Sequence, residues 1–254
     1  MFDHMMYVFL PCYNESENIR PLVEEWEKRK TDFEKRGYEL KIICIDDRST
    51  DNTYSIIKHL SQELDNVKVL RHKRNLGLGG VIRNAFKVFT DKGNPGDIMF
   101  LMDGDNTHDP VYSINMLEKH FDGGYDCVIA SRYCNKSDVV GVPGVRRFLS
   151  DGARIYYKMV LRVKGVEDYT CGYRLYTYDI VKKAQSKYGV ELVKQMDFSC
   201  MMEVLYKLYK VGARFAEVPF KLRYDKKGGE SKMKIIKTVK NSLLVALKLK
   251  LRVK

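Results

Sequence analysis

The chain has 254 residues, 44% of them hydrophobic and 31% charged, a balance that excludes collagen-like, disordered and membrane-embedded classes and suits one sizeable α/β domain. Its six cysteines include no C-x-x-C pair, which favours buried free thiols in a reducing compartment over a disulfide framework or a zinc ribbon. The net charge of +12 is concentrated at one end: Lys221 to Lys254 hold twelve Lys/Arg against two acids, a tail that points to an anionic partner, membrane or nucleic acid. The first apolar run, Met5 to Leu10, is too short for a signal peptide, and the late uncharged stretch Asn241 to Leu247 falls far below the roughly 20 residues of a membrane span.

Met6 to Leu10 reads as a strand ending in Pro11-Cys-Tyr-Asn-Glu15. Ser16 is placed to cap one helix whose apolar positions Ile19, Leu22, Val23, Trp26 and Phe33 follow helical spacing until Gly37. Lys41 to Ile45 is a second strand, ending in Asp46-Asp47-Arg-Ser-Thr-Asp51, from which a helix carrying Ile56, Ile57, Leu60 and Leu64 starts. Val67 to Arg71 is a third strand, leading through Asn75-Leu-Gly-Leu-Gly-Gly80 into a helix that buries Val81, Ile82, Ala85, Phe86 and Phe89. A buried strand, Ile98 to Met102, a helix near Pro110 to Phe121 and a strand, Asp126 to Ser131, complete a βα alternation that predicts a mostly parallel, doubly wound sheet. The second half is less regular: a helix from Arg146 through Val163, a glycine-bearing loop Asp168 to Arg174, a helix Phe198 to Tyr209, an extended segment Glu217 to Tyr224, and a break at Gly228-Gly-Glu-Ser-Lys232. In the tail Met233, Ile236, Val239, Leu243 and Leu247 recur at helical spacing among lysines, although Leu247 to Lys254 alternates as a strand would. A short, basic, amphipathic segment suits lying on a bilayer; the plainer alternative is a helix packed on its own domain.

Every polar motif of the first half follows a strand, and in a parallel sheet those ends share one edge, where open α/β sheets bind ligands. The richest is Met99 to Pro110, in which an apolar run delivers Asp103 and Asp105 one glycine apart. Carboxylates so close repel unless a cation neutralises them, and a hard divalent ion shared with a substrate's phosphates is the simplest solution. Alone, the stretch is equally a turn, since Asp, Gly, Asn and Pro are turn residues; the convergence of motifs favours a site. Glu15 has an alternative as charge compensation at a helix N-terminus, and the glycines of Asn75 to Gly80 have one as a tight strand-to-helix turn.

The motifs Pro11-x-Tyr-Asn-Glu15, Asp46-Asp-x-Ser-x-Asp51, Asn75-Leu-Gly-x-Gly79, Asp103-x-Asp105-x-x-His108-x-Pro110, Ser131-Arg-Tyr133, Arg146-x-x-x-Ser150-x-Gly-Ala153, Asp168-x-x-x-Gly172-x-Arg174 and Glu217-Val-Pro219 with Arg223 and Ser231-Lys232 resemble those of family-2 glycosyltransferases with the GT-A fold, in the dolichol-phosphate mannose synthase branch. The resemblance runs from Tyr7 to about Lys232 and implies a Rossmann-like glycosyltransferase domain over 1–230 with a basic amphipathic membrane-surface segment over 231–254. It implies donor contacts from Pro11, Tyr13, Glu15, Ile45, Asp47, Asp103, Gly104, Asp105, Arg223 and Lys232, and Mg²⁺ or Mn²⁺ on Asp103 and Asp105. The acceptor phosphate falls to Arg132, Arg146 and Ser150, and catalysis to Asp105, Arg132 and Asp168. The sequence departs from the family at Thr107, where Gln, a third metal ligand, is usual, at Gly104 for Ala, at Asn52 for Gly and at Arg154 for Asn.

The expected activity is inverting, metal-dependent transfer of a hexose, foremost mannose from GDP-mannose, to a polyprenyl phosphate at the cytoplasmic membrane face. A phosphate oxygen is already ionised at pH 7 and needs no general base, whereas a hydroxyl acceptor would need one, with Asp168 the natural choice; failing that, Asp168 would hold Arg174 or sugar hydroxyls. The expected partners are a nucleotide-sugar, a polyprenyl phosphate, an anionic membrane surface and a small membrane-anchoring subunit, without nucleic acid. The alternatives are a UDP-sugar enzyme acting on a lipid phosphate or a saccharide hydroxyl, and a non-catalytic nucleotide-sugar-binding subunit.

Overall fold

The computed structural model describes residues 2–141, 144–224 and 235–252. The first half alternates as β1 (His4–Cys12), α1 (Ile19–Glu27), α2 (Lys30–Glu34), β2 (Tyr38–Asp46), α3 (Thr53–Glu63), β3 (Val67–Arg71), α4 (Gly77–Lys92), β4 (Ile98–Leu101), α5 (Tyr112–Gly123) and β5 (Cys127–Ser131). The second half adds β6 (Asp138–Val140), α6 (Gly144–Leu161), β7 (Arg174–Thr177), α7 (Tyr178–Tyr188), α8 (Cys200–Lys210), β8 (Phe215–Pro219), β9 (Lys221–Arg223) and α9 (Ile235–Arg252). Seven strands form one sheet in the order β3-β2-β1-β4-β7-β5-β8, and β6 pairs with β9 in a separate ribbon.

β1 to β5 and β8 run parallel, and continuous apolar runs such as Tyr7 to Leu10 and Ile98 to Met102 are buried, as strands covered on both faces must be. β7 alone is antiparallel, inserted between β4 and β5 with Arg174 opposite Leu101 and Ile129. Its reversed direction matters for the site: the loop 168–173 entering β7 arrives at the same edge at which β1, β2, β4 and β5 end. The expected glycine-bearing loop is therefore correct only as far as Tyr173, and β7 and α7 are elements the short apolar run Leu175-Tyr176 did not reveal.

The single helix expected from Ser16 to Gly37 is two, α1 and α2, and Ser16 does not cap it. The N-cap is Asn18, without a side-chain cap bond, while the Ser16 N–H donates to Asp51 Oδ2 at 3.3 Å. Both halves keep their apolar positions on the core: the Trp26 ring lies 5.5 Å from that of Phe100, 6.2 Å from Phe33 and 6.3 Å from Tyr173. The six thiols are free, five of them buried.

The tail is helical to Arg252, well into the alternating stretch, because Leu and Lys are good helix formers and one face has somewhere to pack. Ser242, Val245, Ala246 and Leu249 are buried, and Tyr157 of α6 hydrogen-bonds Ser242 at 2.5 Å while Tyr156 donates to the Leu243 carbonyl at 3.2 Å. The buried stripe is thus shifted from the one the spacing suggested: Leu243 is half-buried, and the outward apolar residues are Leu244, Leu247 and Leu251.

Candidate active site

The first two motifs mostly bind each other. Asn14 adopts a left-handed φ of +55°; its N–H donates to Ser49 Oγ at 3.0 Å and its Oδ1 accepts from Thr50 N–H at 2.8 Å. Glu15 N–H donates to Thr53 Oγ1 at 2.7 Å, and that hydroxyl donates to Asp51 Oδ1 at 2.6 Å. The Glu15 carboxylate accepts from Asn18 Nδ2 at 2.7 Å, close to the α1 N-terminus, so its place also fits the helix-end alternative. Asp46 meets Arg71 at 3.0 Å. This stapling holds the ends of β1 and β2 together and leaves Tyr13 exposed at the edge.

Asp47 is where geometry departs most from a free ligand-reading carboxylate. It is buried, and it accepts from the N–H groups of Leu76 and Gly77 at 2.8 Å each and meets His72 Nδ1 at 2.7 Å. Asp47 therefore caps α4, and His72, which continues through Nε2 to Asn84 at 2.6 Å, is a positioning residue that no sequence pattern marked. The glycines of this turn have a specific cause. A Cβ on Gly79 would fall 1.8 Å from the Gln195 carbonyl oxygen, and one on Gly77, at φ +72°, 2.6 Å from that of Met196. The 193–196 segment lies on the start of α4 and is held from beneath by Glu203, which accepts the N–H groups of Lys194 and Gln195 at 2.8 Å each and pairs with Lys207 at 2.7 Å, both buried.

The paired acids sit as the sheet edge requires. Gly104 lets their loop press on β1: a Cβ there would be 2.5 Å from the Pro11 carbonyl oxygen. Asp105 Oδ1 accepts from the Thr107 hydroxyl at 2.7 Å, so Thr107 orients Asp105. The Thr107 carbonyl in turn accepts the Arg223 N–H at 3.0 Å, bringing β9 to the loop. Asp103 packs on Gly172, whose Cβ would fall 2.7 Å from Oδ1. Two carboxylates, one oriented and one seated against a bare Cα, are hard oxygen donors that fit Mg²⁺ or Mn²⁺ completed by a diphosphate; among the described residues no group of three or more His, Cys, Asp or Glu gathers to hold a metal unaided.

From Gly172 the loop leads to the second half of the site. Asp168 is fully buried and accepts Arg132 Nε and NH2 at 2.7 Å each, together with the Cys171 N–H at 3.0 Å. Arg132 also donates to Thr170 Oγ1 at 2.7 Å, and 21% of its side chain stays exposed. Burial alone would raise the Asp168 pKa; the Arg132 guanidinium and the N–H donors outweigh it and hold the acid at about 2. Asp168 does not bind Arg174: that buried guanidinium donates to the carbonyls of Met201 and Tyr169 at 2.8 Å each. Glu217 of the Glu-Val-Pro motif anchors the loop by accepting the N–H groups of Glu167 and Asp168 at 2.7 Å each. Burial pushes the neighbouring Cys171 thiol up to about 12, so it stays protonated, 3.7 Å from His108 Nε2.

Ser150, half-buried, and Arg146 share a face of α6 by their i, i+4 spacing. Arg146 is placed here by its backbone alone, and Lys232 lies outside the described residues.

The chain is similar to several proteins of known name or structure. A curated dolichol-phosphate mannosyltransferase from Pyrococcus furiosus is 30% identical over 228 residues, covering 89% of this chain and 58% of the relative, so the chain spans little more than half of that protein. A polyprenol monophosphomannose synthase from Mycolicibacterium smegmatis is 28% identical over 227 residues, 89% of this chain and 80% of the relative. A mannosyltransferase from Pyrobaculum calidifontis, solved in complex with GDP-Man and Mn²⁺, matches with a TM-score of 0.63 at 14% identity, over 98% of this chain and 64% of that one. At that identity the likeness concerns the fold, which is of the GT-A type. The model of the family described as "Glycosyl transferase family 2" matches residues 7–184, and with the strand-end site in place the chain belongs to that family.

Proposed function

We propose that this chain transfers mannose from GDP-mannose to a polyprenyl phosphate, with inversion, at the cytoplasmic face of a membrane. The observation that carries this reading is the Arg132–Asp168 pair. A buried carboxylate held at about 2 by a bidentate arginine is a poor proton acceptor at neutral pH. That disfavours a hydroxyl acceptor with Asp168 as base and suits a phosphate acceptor, which arrives ionised and needs positioning by cations. Arg132, with Ser150 and Arg146 on α6, would seat that phosphate. Asp103 and Asp105 would hold a divalent ion, which when bound supplies Lewis-acid neutralisation of the departing diphosphate. Pro11, Tyr13, Glu15, Ile45 and Gly104 line the donor edge, Arg223 and Lys232 would clamp its phosphates, and Asp47 acts through the turn it caps. The names of the curated relatives support a mannosyl donor and a prenyl acceptor.

A membrane-surface location fits the outer faces of α6 and α9. The two helices pack side by side, and each exposes an apolar stripe away from its buried face: Phe148, Ile155 and Met159 on α6, Leu244, Leu247 and Leu251 on α9. Lys240, Lys248 and Lys250 flank the second stripe, an arrangement suited to anionic lipid. Among the described residues no helix is long and apolar enough to cross a membrane; a small membrane-anchoring subunit would add to such a hold.

The test is direct. Purified protein is offered GDP- and UDP-sugars with Mn²⁺ and either a short polyprenyl phosphate or a free saccharide. β-Mannosyl phosphoprenol from GDP-mannose is the expected product; glycolipid from UDP-sugars only, or transfer to the saccharide only, overturns the reading.

A further inference from the structure

Arg132 does not stand alone beside Tyr133. The Arg154 guanidinium carbon lies 4.5 Å from the Tyr133 ring centroid and that of Arg132 lies 5.5 Å from the same centroid, so the two carbons are no more than 10.0 Å apart. Two guanidinium groups that share a single phosphate lie within about 8 Å of each other, carbon to carbon, a separation this bound admits. Arg154 is one helical turn beyond Ser150 on α6, on the face Arg146 and Ser150 share.

Both arginines hang from one dipeptide. Arg132 is gripped by Asp168, and Arg154 donates through Nε at 3.2 Å and NH2 at 2.8 Å to Oε2 of the adjacent Glu167. The N–H groups of Glu167 and Asp168 are bound in turn by one oxygen of Glu217, at 2.7 Å each. Lys158 shares the Glu167 carboxylate. Burial would raise the Glu167 pKa, but Lys158 and Arg154 hold it below its ordinary value, so the anchor stays ionised at neutral pH. Each guanidinium is fixed through Nε and NH2 and keeps its NH1 end without a protein partner among the described residues. A guanidinium fixed on one side and open on the other is prepared for an anion, because the rotamer entropy is already lost before the ligand arrives.

We infer that Arg154 is a further arginine of the acceptor headgroup site, beyond Arg132 and Arg146, binding the phosphate monoester together with Arg132 over the Tyr133 ring. This rests on the reading of the acceptor as a prenyl phosphate. The competing role is purely structural, with Arg154 serving only to clamp Glu167 to α6.

Calorimetric titration of full-length protein with farnesyl phosphate separates the cases without requiring turnover, using wild type, Arg154→Gln, Arg154→Lys and Glu167→Gln, with GDP titrated in parallel. The expected result is farnesyl phosphate affinity at least tenfold weaker in Arg154→Gln, partly restored in Arg154→Lys, and reduced less than threefold in Glu167→Gln, with GDP affinity within twofold throughout. Farnesyl phosphate affinity unchanged in Arg154→Gln, or reduced equally in Arg154→Gln and Glu167→Gln, overturns the inference. Absence of farnesyl phosphate binding by the wild type overturns the acceptor reading itself.

Discussion

At the β1–β2–β4 side of the sheet edge Asp46 pairs with Arg71, but Asp47 and Asp105 are held by backbone N–H groups, an imidazole and a hydroxyl: Asp47 by Leu76, Gly77 and His72, and Asp105 by Thr107. At the β5–β7 side each acid holds an arginine, Asp168 gripping Arg132 and Glu167 gripping Arg154. The difference suits the proposed division of the site. A side that collects a cation and a diphosphate needs oriented carboxylates; a side that collects an anion needs fixed guanidinium groups whose charge is balanced while the site is empty, since an uncompensated buried charge is costly. The loop 168–172 joins the two, with Asp168 at one end and Gly172 against Asp103 at the other.

The comparison is most easily broken at its donor side. Asp105→Ala should lower transfer on the order of a thousandfold, a loss comparable to removing one preorganised stabilising group, while acceptor binding by calorimetry stays within twofold. On the other side Arg132→Ala should abolish farnesyl phosphate binding and also destabilise the fold by about 3–5 kcal/mol, because Asp168 is left buried without its cation; urea midpoints would read this, and GDP binding should survive in the fraction that folds. A midpoint unchanged by Arg132→Ala would mean that the pair is not the buried anchor described.

The smaller effects sharpen the contrast. Asp168 sits at about 2 in the folded protein against an ordinary value of 3.8, so its contribution, about 2 kcal/mol, is fully present above pH ~4 and lost as pH falls from ~4 through ~2. Acid unfolding followed by circular dichroism should therefore steepen in that window, and Asp168→Asn should flatten it. On the outer face of α6, Ile155→Asp should weaken binding to anionic vesicles several-fold, with a further loss on raising salt, and leave soluble GDP binding unaffected; vesicle binding that ignores both Ile155→Asp and Leu247→Asp would remove these stripes from the membrane contact.

The parallel part of the sheet was readable because strands buried on both faces are continuous apolar runs with polar motifs at their ends, as in Cys127 to Ser131, buried throughout and expected from Asp126; the edge strand Val67 to Arg71, of which only Val67 is buried, has the expected bounds as well. β7 was not, because its direction is set by neighbours β4 and β5, and Arg174 at its start resembles a loop residue until the sheet closes over it. Motif spacing brought Asp103, Asp105, Arg132 and Asp168 to one edge, yet it could not show that Asp168 holds an arginine 36 residues away rather than the nearer Arg174. Asp47 likewise gave no sign in the sequence that its carboxylate caps α4, since a cap contributed by a distant strand leaves no local pattern. In the tail, Leu and Lys occur all around the helix, so periodicity alone misplaced the buried stripe, and contact with α6 decides it.

The measurement that bears most directly on the central claim is titration of GDP into the purified protein with Mn²⁺ or with chelator, for wild type and Asp105→Ala. Affinity at least tenfold higher with Mn²⁺, and loss of that gain in Asp105→Ala, is the predicted result. Equal affinity with and without the metal, or an undiminished Mn²⁺ effect in Asp105→Ala, would contradict a donor site built on these two carboxylates.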